Sequence, residues 1–325
     1  MKAHTSLQSR IDLYLAERIR LGYCAHEDAW ALPSFARYVQ AVGHRGPLTV
    51  EVMAEWARCD SQHSTDPHTW ARRLKKLRMF MRWLKQFEPL TEVPDNTFFG
   101  SLPERQTPHI YSDQEIVDLL SAARRLGPAP GLRGLVYETL FGLLASTGLR
   151  IGEALALRNS DVDLKTGMLS IHQAKFGKSR QVPIHPSTLD ALRRYCGMRD
   201  LYAQRSEPDG AFFIGTRGRR RGLPLGDRQV HRIFSELRKQ LDWHNRGTHL
   251  STRIHDLRHT FIVRRIVQWQ AMGVDIDQAM LSLSTYVGHA KASNTYWYMS
   301  AVPEMMGLAA TRFESFTSKV QVHDE

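Results

Sequence analysis

Apolar residues recur at helical spacing through most of residues 1–107. In "SLQSRIDLYLAERIRLGY" they fall at Ile11, Leu13, Leu15 and Ile19. "EDAWALPSFARYVQAVG" reads as a helix interrupted at Pro33, and "TVEVMAEWARC" as one with Thr49 placed to cap it. In "DPHTWARRLKKLRMFMRWLKQF" the apolar positions are Trp70, Leu74, Leu77, Met81 and Leu84. Residues 88–110 carry several prolines and no helical pattern. Beyond them "YSDQEIVDLLSAARRL" starts a new helix, with Ser112 and Glu115 as a capping box. "LRGLVYETLFGLLASTGLR" and "IGEALALR" continue the helical pattern. The period then changes. Met168–His172 and Arg180–Ile184 are short β-like runs around a Phe-Gly-Lys-Ser turn, predicting a hairpin or a three-stranded sheet. Helices resume near Pro186. The expected fold is mainly α with a small β-sheet.

The 325 residues suit about two domains of ordinary size. The expected boundaries are a helical N-terminal domain over 1–90, a linker over 91–110, an α+β domain over 111–317 and a tail over 318–325. Apolar content of 42% and charged content of 24% fit a chain able to build a core in each half. The formal charge of +11 adds a partner class, because a basic surface favours a polyanion, nucleic acid ahead of an anionic membrane. Cys24, Cys59 and Cys196 form no CxxC pair, which suits a reducing compartment and gives no zinc ribbon or redox motif. The start "MKAHTSLQSRIDLYL" lacks an apolar signal core, and no run of about 18 apolar residues occurs. A cytoplasmic protein with no membrane partner is expected.

The charge is concentrated. Arg72, Arg73, Lys75, Lys76, Arg78, Arg82 and Lys85 fill one predicted helix, with no acid between Asp66 and Glu88. Such a run is either a solvated face or a face laid along phosphates; the absence of acidic partners at i,i+4 favours the second. The loop "GTRGRRRGLPLG" offers Arg217, Arg219, Arg220 and Arg221 either as phosphate contacts or as a solvated tip.

Four stretches carry side chains suited to chemistry. In "ASTGLRIGEALALR", Arg150 follows Gly148 where a turn gives way to an apolar helix; alone, it reads as the partner of Glu153. In the hairpin, Lys175 stands before Phe176 and Lys178 after Gly177; a lysine there is either solvated or a mobile proton donor. In "STRIHDLRHTF", His255 and Arg258 share a helix face, and His255 and His259 have the i,i+4 spacing of zinc pairs. Asp256 stands where a zinc-protease helix needs glutamate, and no third ligand follows, so a metal is not expected. In "TYVGHAKASNTYWYMSAVPE", His289, Tyr296, Trp297 and Tyr298 taken singly read as core.

Together these residue types suit phosphoryl transfer on a diester. Two arginine forks neutralise the non-bridging oxygens. A tyrosine hydroxyl forms a covalent ester, helped by a cationic pocket and a base. A lysine protonates the departing oxygen. The order of "STGLRIGEAL", the lysine of "QAKFGKSRQVPIH", "HDLRHTF" and "VGHAKASNTYWYMS" resembles the tyrosine recombinases, the phage-integrase family, over about residues 108–315. Residues 1–90 resemble that family's helical core-binding (SAM-like) DNA-binding domain only in size, position and basic character.

The resemblance implies roles. Arg150 and Arg258 hold the scissile phosphate, Lys175 protonates the 5′ oxygen, and His255 is base or orienting partner for the nucleophile. His289 hydrogen-bonds the phosphate, and Tyr298, nine residues beyond it, attacks to form a 3′-phosphotyrosyl link. Lys178 is the alternative lysine and Tyr296 the alternative tyrosine. Glu153 supports the first arginine, and His259 reads as a satisfied structural histidine. The stretch from Val263 to His289 is longer than the family's usual spacing, which leaves its local geometry open.

The function expected is a site-specific recombinase or integrase of a transposon or other mobile element. It would work with neither metal nor nucleotide cofactor, as a homo-tetramer on double-stranded DNA, with or without sister recombinases beside it. The two domains would clamp the duplex. Alternatives are a type IB topoisomerase-like enzyme and a non-catalytic DNA-binding accessory factor. The helix after Tyr298, with Met305, Leu308, Ala309 and Phe313 at helical spacing, docks on a neighbouring subunit or on its own domain.

Overall fold

The computed structural model describes residues 6–23, 28–59, 64–100, 105–127, 131–174, 178–203 and 207–301. It forms two compact units that divide between Arg105 and Gln106.

The first unit holds α1 (Leu7–Arg20), α2 (Asp28–Ala41), α3 (Val50–Arg58) and α4 (Pro67–Leu84). Their apolar stripes meet in a core of Ile11, Tyr14, Leu32, Phe35, Met53, Trp56, Leu74, Leu77, Phe80, Met81 and Leu84. Pro33 does not break α2. It removes one hydrogen bond near the helix start, which burial of Ala31, Leu32, Phe35 and Ala36 outweighs. Thr49 occupies the N-cap of α3 without making a side-chain cap. The Glu92 carboxylate accepts from the Val50 N–H at 2.7 Å in its place. Part of the expected linker therefore belongs to this unit: the Glu92 N–H also donates to the Leu48 carbonyl, and Thr91 is buried.

The basic run on α4 divides by its contacts. Arg73 is buried beneath Trp56 and donates to the carbonyls of Trp56 (3.0 Å) and Cys59 (3.1 Å). Arg78 donates to the Pro94 carbonyl at 2.9 Å and to the Asn96 side chain. Arg73 is thus a core member where the sequence pattern placed it on a phosphate-binding face, and Arg78 is engaged within its own unit. Arg72, Lys75 and Arg82 are exposed along one stripe of the helix; Lys76 beside them lies over the Trp30 ring at 4.7 Å.

The second unit begins with a tethered strand of chain. His109 is fully buried, its Nδ1 accepting from the Arg246 N–H at 3.1 Å, and the Thr248 N–H donates to the Thr107 carbonyl. Burial holds the His109 imidazole below its ordinary pKa, against the pull of Glu115. The helix α5 (Asp113–Arg124) opens with the expected Ser112–Glu115 capping box. Helix α6 (Leu132–Thr147) is buried nearly all round and packs on α5, on α8 (Pro186–Ala203) and on α10 (Ile254–Ala271). Between α6 and α8 lie the short α7 (Ile151–Leu155) and an antiparallel sheet of β1 (Val162–Asp163), β2 (Met168–Ala174) and β3 (Lys178–Pro183), in that order. Leu169 pairs with Val182 and Ile171 with Arg180, so one sheet face turns Leu169, Ile171 and Val182 into the core. The arginine loop is ordered: a 3-10 turn at Gly218–Arg220 sits between bridges of Ile214 with Pro224 and of Gly215 with Arg221. Arg219, Arg220 and Arg221 are exposed, while Arg217 donates to the Gly127 carbonyl at 2.7 Å. The amphipathic α9 (Asp227–Leu241) covers the main core. A separate cluster joins α10, α11 (Ile276–Val287) and α12 (Ser293–Ala301) through Phe261, Ile262, Ile266, Met280, Leu283, Val287 and Tyr298. Among the described residues no helix is long and apolar enough to cross a membrane.

Replacing Arg73 with methionine removes the donor from two carbonyls and is expected to cost roughly 2–3 kcal/mol of unfolding free energy. Arg72→Met should stay within about 0.5 kcal/mol of the native chain. Chemical denaturation of both variants checks the division; equal effects would contradict it.

Candidate active site

Helix α6 ends at Gly148, which adopts φ +64°. A side chain there would be strained by the left-handed backbone, and its Cβ would stand 2.5 Å from the Phe261 ring. The tight turn brings Arg150 to the extended N-cap of α7. Arg150 donates to Glu153 twice, from its backbone N–H (3.0 Å) and from Nη1 (2.8 Å), and Nη2 reaches the Gly288 carbonyl at 2.8 Å.

Glu153 has a second cationic partner. Arg180, on β3, donates from Nη1 to Oε1 (3.2 Å) and from Nη2 to Oε2 (2.9 Å). Its Nε bonds the Tyr286 carbonyl at 2.8 Å and its Nη2 the Val287 carbonyl at 3.3 Å. Burial alone would raise the Glu153 carboxyl; the Arg180 fork, and then Arg150, outweigh it and hold the pKa below the ordinary carboxylate value. Two arginines thus cap the last carbonyls of α11, where the helix dipole is negative. Gly288 ends that helix at φ +69°, with the Arg180 guanidinium where a Cβ would sit, 2.6 Å away.

Arg258, on α10, is 2% exposed. Nη1 donates to the Gly148 carbonyl at 2.7 Å; Nη2 is buried and has no hydrogen-bond partner among the described residues. Burial and then the neighbouring Arg150 charge lower its pKa to about 9. It stays cationic at neutral pH. Because the folded chain holds this proton less tightly than the unfolded chain, the charge costs stability from neutral pH up to about 9, and the cost is relieved only above that.

Beside Arg258 on α10, His259 Nδ1 lies 2.6 Å from the Tyr298 hydroxyl, a hydrogen bond between buried groups. Tyr298 is within electrostatic reach of Arg258. Tyr296, on the other side of α12, is exposed, and its hydroxyl lies 3.3 Å from Asp277 Oδ1. His255 is exposed, with its ring 4.8 Å from that of His259 in an edge-to-face pair. His289 follows Gly288 directly; its Nδ1 bonds Thr295 Oγ1 at 2.7 Å and its backbone N–H the Ser284 carbonyl. Arg150, Glu153, Arg258, His259, His289 and Tyr298 therefore line one region. Lys175 lies outside the described residues; β2 ends at Ala174 and β3 begins at Lys178, whose backbones pair. Among the described residues no group of three or more His, Cys, Asp and Glu is placed to hold a metal.

Sequence reasoning missed two features of this region. Arg180 was legible in the period-2 pattern, since it stands two residues from the core residue Val182 and so shares its inward face. The bond from His259 to Tyr298 was not. Nearly every residue from Ile254 to Val263 is buried, so helical periodicity gives no reason to prefer one histidine over the other.

Residues 111–304 match the phage integrase family. The chain belongs to that family. It is 34% identical over 313 residues to the integrase/recombinase y4rB of Sinorhizobium fredii (strain NBRC 101917 / NGR234), covering 95% of this chain and 98% of the relative. It is 26% identical over 240 residues to the tyrosine recombinase XerC of Bacillus subtilis (strain 168), covering 73% of this chain and 72% of the relative. Its fold is similar to the Tn1549 transposon integrase in complex with transposon right end DNA (TM-score 0.62, 15% identity, 94% of this chain and 99% of that one). It is also similar to the XerH site-specific recombinase bound to a palindromic difH substrate (TM-score 0.62, 16% identity, 88% and 78%).

The incompletely compensated burial of Arg258 has a measurable consequence for this family member. Arg258→Met is expected to melt at or above the native temperature, because a buried cation is exchanged for an apolar side chain of similar reach. A fall in Tm of more than about 4 °C, on the order of 1–2 kcal/mol, would contradict that reading.

Proposed function

We propose that this recombinase cuts and rejoins DNA at specific sites through a phosphotyrosyl link to Tyr298, in the service of a transposon or other mobile element. Membership of the phage integrase family makes the chain an enzyme of DNA strand breakage and rejoining. The observation that carries the residue assignment is the Tyr298 hydroxyl against His259, one position along α10 from a buried arginine with a donor that has no partner among the described residues.

The chemistry follows from those groups. Arg258 Nη2 and the Arg150 fork bind the two non-bridging oxygens of the scissile phosphate, joined by His289, whose Nδ1 is taken up by Thr295. His259 Nδ1 receives the proton of Tyr298 as the phenolic oxygen attacks phosphorus. The bond from phosphorus to the 5′ oxygen breaks, and Lys175 gives that oxygen a proton. The exposed His255 steadies the His259 ring. Reversal on a different strand's 5′ hydroxyl breaks the tyrosyl ester and remakes a diester, so the energy of the first bond is kept throughout.

Double-stranded DNA is the partner this chemistry requires, and a homo-tetramer on two duplexes is the assembly proposed for exchange. Arg72, Lys75 and Arg82 on the exposed stripe of α4, with Arg219, Arg220 and Arg221, supply phosphate contacts. Replacing Lys75 or Arg82 with alanine should reduce the slope of log K against log salt by about 1 each; an unchanged slope would remove that residue from the interface.

The direct test uses nicked duplexes drawn from the DNA flanking the chain's own gene, resolved on a denaturing gel. The native chain and Tyr296→Phe are expected to give a covalent adduct and Tyr298→Phe none. An adduct that survives Tyr298→Phe contradicts the assignment. Relaxation of a supercoiled plasmid lacking any site would favour a topoisomerase-like activity instead.

A further inference from the structure

Arg180 stands outside the set of groups given a chemical role above, yet it makes four hydrogen bonds within the site. Its guanidinium takes both oxygens of Glu153 and the carbonyls of Tyr286 and Val287, with its side chain 9% exposed. The neighbouring carbonyl, that of Gly288, is taken by Arg150 Nη2. Three successive carbonyls at the end of α11 are therefore held by two arginines that share one carboxylate. Gly288 is bare against the Arg180 guanidinium, and His289 is the next residue.

We infer that Arg180 is a positioning residue for strand cleavage: it fixes the direction of the Arg150 fork through Glu153 and the placement of His289 through the 286–288 turn, and it ties β3 to both. The inference rests on the proposed roles of Arg150 and Tyr298. Three features support it. First, Glu153 has two oxygens and two cationic partners. Without Arg180 the carboxylate loses the fork that fixes its direction, and the Arg150 fork bonded to it is left to turn with it. Second, a fork that satisfies four acceptors in three directions cannot be replaced by the single point charge of lysine. Third, Arg180 lies two residues beyond Lys178 on the strand that leads from the segment carrying Lys175. One side chain thus joins the strand nearest the proposed acid to the groups that hold the phosphate.

A positioning role differs from a merely structural one in what it moves. Arg180 supplies the strongest influence that lowers the Glu153 carboxyl. In its absence that carboxyl protonates at higher pH and Arg150 loses its anchor there, so the fall of cleavage on the acid side begins at a higher pH than in the native chain. A change of folding alone leaves the shape of the pH profile as it was.

The experiment compares the native chain, Arg180→Met and Arg180→Lys on the nicked flanking duplexes. It measures the single-turnover rate of adduct formation from pH 5 to 9 and DNA affinity by mobility shift, with a crystal structure of one variant. Arg180→Met is expected to cleave about 100-fold more slowly at saturating DNA, the scale of an ångström's misplacement of a reacting group. Affinity should change less than threefold, and the acid-side fall in rate should move to higher pH. Arg180→Lys should recover only part of the rate, and it serves as the reading if Arg180→Met does not fold. Cleavage within twofold of native, or a slower rate with the native pH shape, overturns the inference. So does a variant structure in which Arg150 Nη2 still bonds the Gly288 carbonyl and the 286–288 turn is unmoved. That last arm reads geometry without turnover, so a native chain that forms no adduct counts against the cleavage reading alone.

Discussion

The Glu153 carboxylate is the interaction on which the catalytic unit depends. Around it stand three guanidinium groups, of Arg150, Arg180 and Arg258, in a region largely removed from water. Bringing three like charges together is unfavourable unless something of opposite sign is fixed among them. Glu153 bonds two of them directly. The third, Arg258, has one nitrogen on the Gly148 carbonyl and one buried with no partner among the described residues. Among the described residues the site is thus incompletely neutralised, and the role proposed for the phosphodiester is to supply the missing charge.

The rest of the unit holds that arrangement still. The buried helix α6 ends in a left-handed glycine, which turns the chain so that Arg150 and the Gly148 carbonyl serve the same cluster from opposite sides. Helix α11 ends the same way, and its terminal carbonyls face the two arginines. The sheet contributes Arg180 because its core face, set by Leu169, Ile171 and Val182, places an arginine next in the alternation. Helix α10 then carries Arg258 and His259 side by side, one toward the arginine cluster and one toward the Tyr298 hydroxyl. Each element carries one or two charged or titratable groups, and packing sets their spacing.

Much of this was legible in the chain. The helical stripes of α4 and α5, the capping box at Ser112 and the change of period near Met168 marked the elements that form. The order of Arg150, Lys175, His255, Arg258, His289 and Tyr298 marked the family. What resisted reading depended on contacts made over long sequence separations. Thr49 and Glu92 both lie near the start of α3, and only the folded chain shows that Glu92 caps it. Arg73 shares a charged run with Arg72, yet it is buried because its helix turns that position toward Trp56. His255 and His259 differ by about one helical turn, and the return of α12 across α10 puts the tyrosine on the second of them.

The central claim is that fixed positive charge, held in place by Glu153, receives a DNA phosphate beside the Tyr298 oxygen. The crystal structure of the chain trapped on a nicked duplex tests it most directly. The account predicts phosphorus bonded to Tyr298 Oη, one non-bridging oxygen on Arg258 Nη2, another on Arg150, and Glu153 still held by both Arg150 and Arg180. Phosphorus bonded to any other side chain, or a phosphate that leaves Arg258 Nη2 without a contact, would contradict it.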